Sequence, residues 1–577
     1  MSSRNSGEAM KLVEKQDRRP VIRADMEHLR KLFIMPDSPD KFIEFGTELL
    51  DLIHSFFKEK GGIHSAISLP DLAKLFSDIS IPQEPHLLKD VLFEIKNKMI
   101  AHSVKVGNPY YVGHMTSAIP YFMILLEMII AALNQNQVKV ESAKASTFVE
   151  REFIAWMHRL VYNKDPKYYK SHIQNRDVAL GTITLDGTLA NMTALLVARN
   201  KAFPADERFP GIRRAGIAEA YRYYGVSKAV IIVSKRGHYS IDKVARTIGL
   251  GDDNVIKIPV DSRNKMDINS LEKVCEDIRK HNENSREKII IISIVGIAGT
   301  TETGNIDNLK EIRKIATKYK THFHVDAAWG GSLLMVDEFR YLFHGIERAD
   351  SVAVDAHKLL YSPVAMGIVV FRKKDDLNNL KHTANYIIRP DSVDLGRFNI
   401  EGSRPFSALK PWTTIKIFGK DGFKVLFEHA FELTSALRGL VERHCNFEPM
   451  NQPELFIYNY RFVPKKIRER LESLMLKING KPDGEAGHEI ELVRKINNIL
   501  NDLNIELHKE LREEDESFVS RTMLDSPYYL SQNVVILRAI TINPLTTPEI
   551  LKEIVDQQDR LGIKIYKSEF YHRLEKV

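Results

Sequence analysis

Two charged residues, Asp326 and Lys358, each close a short apolar run of this 577-residue chain. The first run is Phe323-His324-Val325-Asp326-Ala327-Ala328-Trp329-Gly330-Gly331, and the second, Ser351-Val352-Ala353-Val354-Asp355-Ala356-His357-Lys358, delivers its lysine 32 positions after Asp326. Continuous apolar runs of this length suit buried strands, and the carboxyl ends of strands in an α/β sheet are where ligands bind. A lysine amine placed there can condense with an aldehyde. A carboxylate can keep a pyridine nitrogen protonated, so that the ring draws electrons from whatever is bound to it. That pairing is what a pyridoxal phosphate site requires. The same two residues would also serve as an ion pair between two buried strand ends, so the other segments decide.

Three further segments point the same way. Gly181-Thr182-Ile183-Thr184-Leu185-Asp186-Gly187-Thr188-Leu189-Ala190-Asn191 is a glycine and threonine turn opening a helix, and it offers N–H groups and hydroxyls to a phosphate. Ser234-Lys235-Arg236-Gly237-His238-Tyr239-Ser240 follows an apolar run and puts His238 at a strand end, where an imidazole can lie over a pyridine ring. Gly296-Ile297-Ala298-Gly299-Thr300-Thr301-Glu302-Thr303-Gly304 ends another such run, with small residues that let the backbone approach a flat ligand.

Positioning these segments is the task of a parallel sheet. Apolar runs at 229–233, 289–295, 322–325, 351–354 and 366–371 alternate with helical patterns at 189–201 and 309–319, which predicts a mostly parallel sheet covered on both faces. Before it, 1–105 reads as a polar tail with helices at 40–58 and 85–100. The large domain is expected to span 106–424. After it, 425–577 reads as a smaller α+β domain, with helices at 423–444, 486–503 and 548–561 and strands at 454–462 and 534–542.

The composition is that of a globular enzyme, with 44% hydrophobic and 9% aromatic residues. Its 83 basic and 76 acidic residues leave a net charge of +7 with no basic stripe, which gives no ground for a nucleic-acid partner. Two cysteines, Cys275 and Cys445, and a polar N-terminus without an apolar signal core fit a reducing cytoplasm. The apolar stretch 118–133 is shorter than the roughly 20 residues of a membrane span and contains Pro120 and Glu127, so a buried or intersubunit helix is expected and no membrane partner. No cluster suggests a metal.

Asn134-Gln135-Asn136, the turn at Gly187 and Thr188, Gly237-His238-Tyr239, Gly299-Thr300-Thr301, Val325-Asp326-Ala327-Ala328 and Asp355-Ala356-His357-Lys358 together resemble the group II pyridoxal phosphate decarboxylases, over about 105–415. The resemblance implies the type I, aspartate aminotransferase-like fold, with a mostly parallel seven-stranded sheet in its large domain, in a homodimer. It also implies roles. Lys358 would carry the cofactor, Asp326 would meet its pyridine nitrogen, Ala328 and His238 would flank the ring, and Thr301 would lie near it. Gly187, Thr188 and His357 would border the phosphate. Tyr386, 28 positions after Lys358, matches the loop tyrosine that returns a proton to the substrate Cα.

The runs Ala298-Gly299-Thr300-Thr301-Glu302-Thr303-Gly304-Asn305-Ile306-Asp307 and Glu401-Gly402-Ser403-Arg404 are most similar to the branch that converts L-aspartate to β-alanine. Glutamate is the next expected substrate, ahead of cysteine sulfinate or an aromatic amino acid. Asn134, Gln135 and Arg404 are candidates to receive a side-chain carboxylate, although Arg404 would equally serve a structural ion pair. One departure is Asp186, an acid beside the expected phosphate site. An aminotransferase would share Lys358 and Asp326, and a non-catalytic binding protein would share the fold. The His238 context and the Asp355-Ala356-His357-Lys358 run favour a decarboxylase over the first, and the intact Lys358, Asp326 and His238 set speaks against the second.

Overall fold

The computed structural model describes residues 26–577 apart from 60, 66, 384–387, 390, 483 and 484. It divides into two units, Met1–Lys105 and Val106–Val577. The first is helical where described. Its longest helix is Phe42–Lys58, and Ser68 caps the shorter helix Leu69–Lys74 by accepting the Asp71 N–H at 3.1 Å.

The second unit is built on a seven-stranded sheet. Its strands are β1 (Gly181–Thr184), β2 (Val226–Ser234), β3 (Val255–Ile258), β4 (Lys288–Ile297), β5 (His322–Asp326), β6 (Ser351–Asp355) and β7 (Gly367–Phe371), in the order β1-β7-β6-β5-β4-β2-β3. Neighbouring strands run parallel from β3 to β6, and β7 pairs antiparallel with both β6 and β1. Both faces are buried, and the alternation of side chains is visible in the packing. Val230, Ile232, Phe323, Val325, Val352 and Val354 enter one core, whereas Ile231, Val233, Ala353 and Val369 enter the cores on the other side. A continuous apolar run is the sequence of a strand with no solvent face.

The helix Gly187–Ala202 lies on that second side, and its buried Ala190, Ala194 and Ala198 let it settle closely on the sheet. Asp186 is its N-cap, the carboxylate accepting the Leu189 N–H at 2.9 Å. An acid at this position complements the positive end of the helix. Thr184, Gly367 and Asp355 stand in register across β1, β7 and β6, so the turns after β1 and β6 leave the sheet side by side.

A second, antiparallel sheet of β8 (Phe447–Pro449), β9 (Ile457–Phe462), β10 (Ser520–Ser526) and β11 (Gln532–Ile540), in the order β10-β11-β9-β8, shares a core with the helices Lys465–Asn479, Gly487–Glu514 and Pro548–Ile565. The connecting segment Leu409–Arg443 is two helices joined at Gly419, whose φ of 59° is open to glycine. The apolar stretch at 118–133 contains the helix Tyr121–Leu133, with Met123 and Ile130 buried and Tyr121, Leu125, Met128, Ile129 and Leu133 exposed. Among the described residues no helix is long and apolar enough to cross a membrane.

Candidate active site

The carboxyl ends of β1, β2, β4, β5 and β6 open on one cavity of about 440 Å³, within the 300–1,000 Å³ range of small-molecule sites. Gly187, Thr188, His238, Thr301, Asp326, Ala328, His357 and Lys358 all line it. These eight positions, spread over 172 residues from Gly187 to Lys358, meet because each ends or closely follows a strand of one sheet.

Lys358 enters from the turn after β6, its Nζ 3.0 Å from Oδ2 of Asp355. Asp355 is buried, and its Oδ1 has no hydrogen-bond partner. A Cβ on Gly187 would lie 2.9 Å from both oxygens of that carboxylate, so only glycine fits at the head of the helix. The imidazole of His357 is tied back to the Met366 backbone, its Nδ1 3.0 Å from the carbonyl oxygen and 3.2 Å from the amide nitrogen. At the end of β5, Oδ1 of Asp326 accepts the Ala328 N–H at 3.1 Å and Oδ2 accepts an N–H of Asn191 at 2.9 Å. The carboxylate is thereby fixed in orientation, with lone pairs still free. Burial draws the His238 pKa below its ordinary value, with Asp326 opposing, and its Nδ1 accepts the Ser240 N–H at 3.3 Å. The neutral ring therefore carries its proton on Nε2.

These groups fit pyridoxal phosphate. The amine of Lys358 suits its aldehyde, the oriented carboxylate of Asp326 suits its ring nitrogen, and the glycine-headed helix N-terminus suits its phosphate. The acid beside that N-terminus, Asp186, is occupied as the cap.

The remaining candidates lie elsewhere. Arg404 is buried and clamps Glu150 with both terminal nitrogens, Nη1 to Oε2 at 2.7 Å, and it does not line the cavity. The structure therefore gives it the ion-pair role, because a buried charge needs an opposite one. Neither Asn134 nor Gln135 lines the cavity. Asn134 ends the helix Tyr121–Leu133 in a left-handed turn, φ 46°, and Gln135 donates from Nε2 to the Leu133 carbonyl at 2.8 Å. Tyr386 lies outside the described residues.

Sequence reasoning passed over His114, Thr116, Asn191, Arg236, Asp355 and Arg538 as cavity residues. Of the two arginines, Arg236 pairs with Asp525 and Asn264 through its terminal nitrogens, its Nε being left without a partner. Arg538, on β11, donates from Nη1 to the Thr301 carbonyl at 3.1 Å, while its buried Nε has no partner. Burial lowers its pKa and the nearby Glu302 carboxylate opposes that shift. The pKa of His114 is also lowered, by burial first and then by Arg538 and Lys358.

Cavity, cofactor fit and sheet define a pyridoxal phosphate enzyme of fold type I. Residues 70–462 match the pyridoxal-dependent decarboxylase conserved domain, and the chain belongs to that family, as a pyridoxal phosphate-dependent amino acid decarboxylase. It is 35% identical to the aspartate 1-decarboxylase of Aliivibrio fischeri over 540 residues, 93% of this chain and 95% of that one. It is 25% identical to the L-2,4-diaminobutyrate decarboxylase of Acinetobacter baumannii over 467 residues, 79% and 80% of the two chains. The crystal structure of Oryza sativa TDC with PLP and tryptamine superposes with a TM-score of 0.75 at 17% identity, covering 92% of this chain and 100% of that one.

Proposed function

We propose that the substrate is a short acidic amino acid, L-aspartate ahead of L-glutamate, and that the products are β-alanine and carbon dioxide. The observation that carries this reading is Arg538: a half-buried cation in the cavity wall whose buried Nε–H no protein group accepts. A buried N–H without an acceptor is costly even with the Glu302 carboxylate nearby, and a substrate side-chain carboxylate would relieve that cost through charge-assisted hydrogen bonds. A diamino acid, the substrate named for the Acinetobacter relative, would instead set an ammonium against this guanidinium. The similarity to the Aliivibrio aspartate 1-decarboxylase supports the same choice.

Pyridoxal phosphate, when bound, supplies the electron sink that makes loss of the α-carboxylate possible. Around it we assign Lys358 to the aldehyde, Asp326 to the ring nitrogen, Ala328 and His238 to the two faces, and Gly187, Thr188 and His357 to the phosphate, with Thr301 beside the ring. His238 presents its Nε2–H to the α-carboxylate and orients it. Arg538 holds the distal carboxylate and leaves the α-carboxylate unclamped, since a guanidinium pair there would oppose its departure. Tyr386 returns the proton to Cα. The exposed apolar side of the helix Tyr121–Leu133 supports a homodimer, because a run of large apolar residues on one helix commonly marks an interface.

Measuring kcat/KM for aspartate, glutamate, cysteine sulfinate, 2,4-diaminobutyrate and aromatic amino acids tests the substrate. Aspartate is expected to lead. One methylene separates it from glutamate, worth only about 1–3 kcal/mol in a pocket, so glutamate turnover is compatible. A preference for glutamate, a diamino acid or an aromatic overturns the assignment.

A further inference from the structure

On the central strand β5 the side chains of His322, His324 and Asp326 point to the same face, while Phe323 and Val325 point into the core opposite. Three polar groups on the buried face of a central strand need partners, and they find them in one chain of hydrogen bonds. Nε2 of His322 and Nδ1 of His324 lie 2.8 Å and 2.9 Å from the Ser351 hydroxyl. Nε2 of His324 lies 2.9 Å from Oδ1 of Asn191. The Asn191 amide nitrogen faces Oδ2 of Asp326 at 2.9 Å and the Ser240 hydroxyl at 3.2 Å.

The direction of every bond follows from its end. A carboxylate only accepts, so Asn191 turns its NH₂ to Asp326 and its carbonyl to His324. Nε2 of His324 must then be the donor. Burial holds this imidazole neutral, its pKa drawn down to about 4 with Asp326 opposing, so Nδ1 is bare and accepts the Ser351 O–H. Ser351 in turn accepts Nε2–H of His322, whose buried Nδ1 is left without a partner. Each member donates towards Asp326, and reversing any one would set two acceptors or two donors against each other. Such a chain has one orientation, fixed at its far end by groups that never touch the cavity.

We propose that His324 is a positioning residue for Asp326: by locking the Asn191 amide, with Ser351 behind it, it aims the carboxylate at the ring nitrogen of the cofactor. The proposal rests on the assignment of Asp326 to that nitrogen. Outer partners of this kind set the orientation of the group they hold.

The test compares, on cofactor-free protein, the dissociation constants of pyridoxal phosphate and of its analogue with C–H in place of the ring nitrogen, read from the absorbance of the bound ligand. The wild type is expected to bind the parent compound more tightly. In His324→Phe, which keeps the volume and loses both hydrogen bonds, that preference should shrink about tenfold, the scale of a lost orienting partner. His324→Gln, whose amide N–H can replace Nε2–H, should recover most of it. A role confined to packing would weaken both ligands equally, which would overturn the proposal, as would an unchanged preference in His324→Phe. If that variant fails to fold, Ser351→Ala carries the same comparison, with a smaller loss expected and an unchanged preference overturning the proposal. A wild type that does not discriminate between the two ligands would instead overturn the assignment of Asp326.

Discussion

Replacing Arg538 by methionine removes the guanidinium while keeping an unbranched side chain on β11, where the backbone of Arg538 stands opposite Ser520 and Asn459. If the free Nε–H and the end of the fork receive the substrate's distal carboxylate, the variant loses at least one hydrogen bond between charged groups. Such a bond is worth about 1.5–3 kcal/mol, which at about 1.4 kcal/mol per decade predicts a fall in kcat/KM for aspartate of about 10- to 100-fold. The lost bond to the Thr301 carbonyl at 3.1 Å could disturb the site for any substrate, so the control must separate the two effects. 2-Aminobutyrate supplies that control, since it matches aspartate in length and lacks the carboxylate. The wild type should prefer aspartate strongly, and Arg538→Met should lose most of that preference, chiefly through aspartate. Turnover of 2,4-diaminobutyrate should rise in the same variant as the opposing cation disappears. An equal loss for aspartate and 2-aminobutyrate would show that Arg538 shapes the cavity without reading the side chain, and the case for an acidic substrate would then rest on similarity alone.

Borohydride reduction of the cofactor-loaded protein should fix the label on the peptide containing Lys358, and Lys358→Ala should abolish turnover; attachment at another lysine would move the site. Tyr386→Phe should lower amine formation by about 10²-fold, the scale of a lost general acid, with cofactor affinity unchanged; undiminished product would remove Tyr386 from the reaction. Stability should fall in acid from the histidines buried neutral. His158 and His322 are drawn down to about 3, and His324 and His508 to about 4, in each case chiefly by burial. The unfolded chain takes up protons near pH 6.5 that the folded chain refuses, so these groups cost stability as pH falls from about 6.5 to 4, each by about 1.4 kcal/mol per unit at most. Thermal midpoints should drop through that window, less steeply below pH 6, where the buried Asp307, raised to about 6 chiefly by burial, takes up a proton in the folded chain and offsets part of the loss; a flat profile from pH 6.5 to 5 would contradict the neutral assignment.

What the sequence made legible was decided by distance along the chain. Asp326 and Lys358 announce themselves because one ends and the other closely follows a strand that both faces bury, and the fold only has to lay the two strands side by side. Short strands escaped notice for the opposite reason. β3 is four residues with a half-polar pattern at the sheet edge, β10 alternates polar and apolar residues in Ser520–Ser526, and β1 read as part of the turn that follows it.

Arg538 and Arg404 show the harder limit. Both are arginines far from the lysine in sequence, and neither spacing nor local pattern tells them apart. Arg404 suited a substrate carboxylate and a structural ion pair equally, and Glu150, 254 positions away, takes its whole fork. Arg538 lies in an unremarkable strand of the C-terminal sheet, and only the packing of that sheet carries it to the cavity with an N–H unclaimed. A cation becomes a recognition group through what fails to pair with it, and that is a property of the folded neighbourhood. The histidines of β5 make the same point from inside the sheet. His324 reads as one polar residue in an apolar strand, and its significance lies in the amide of Asn191, 133 positions earlier, whose carbonyl lies 2.9 Å from its Nε2.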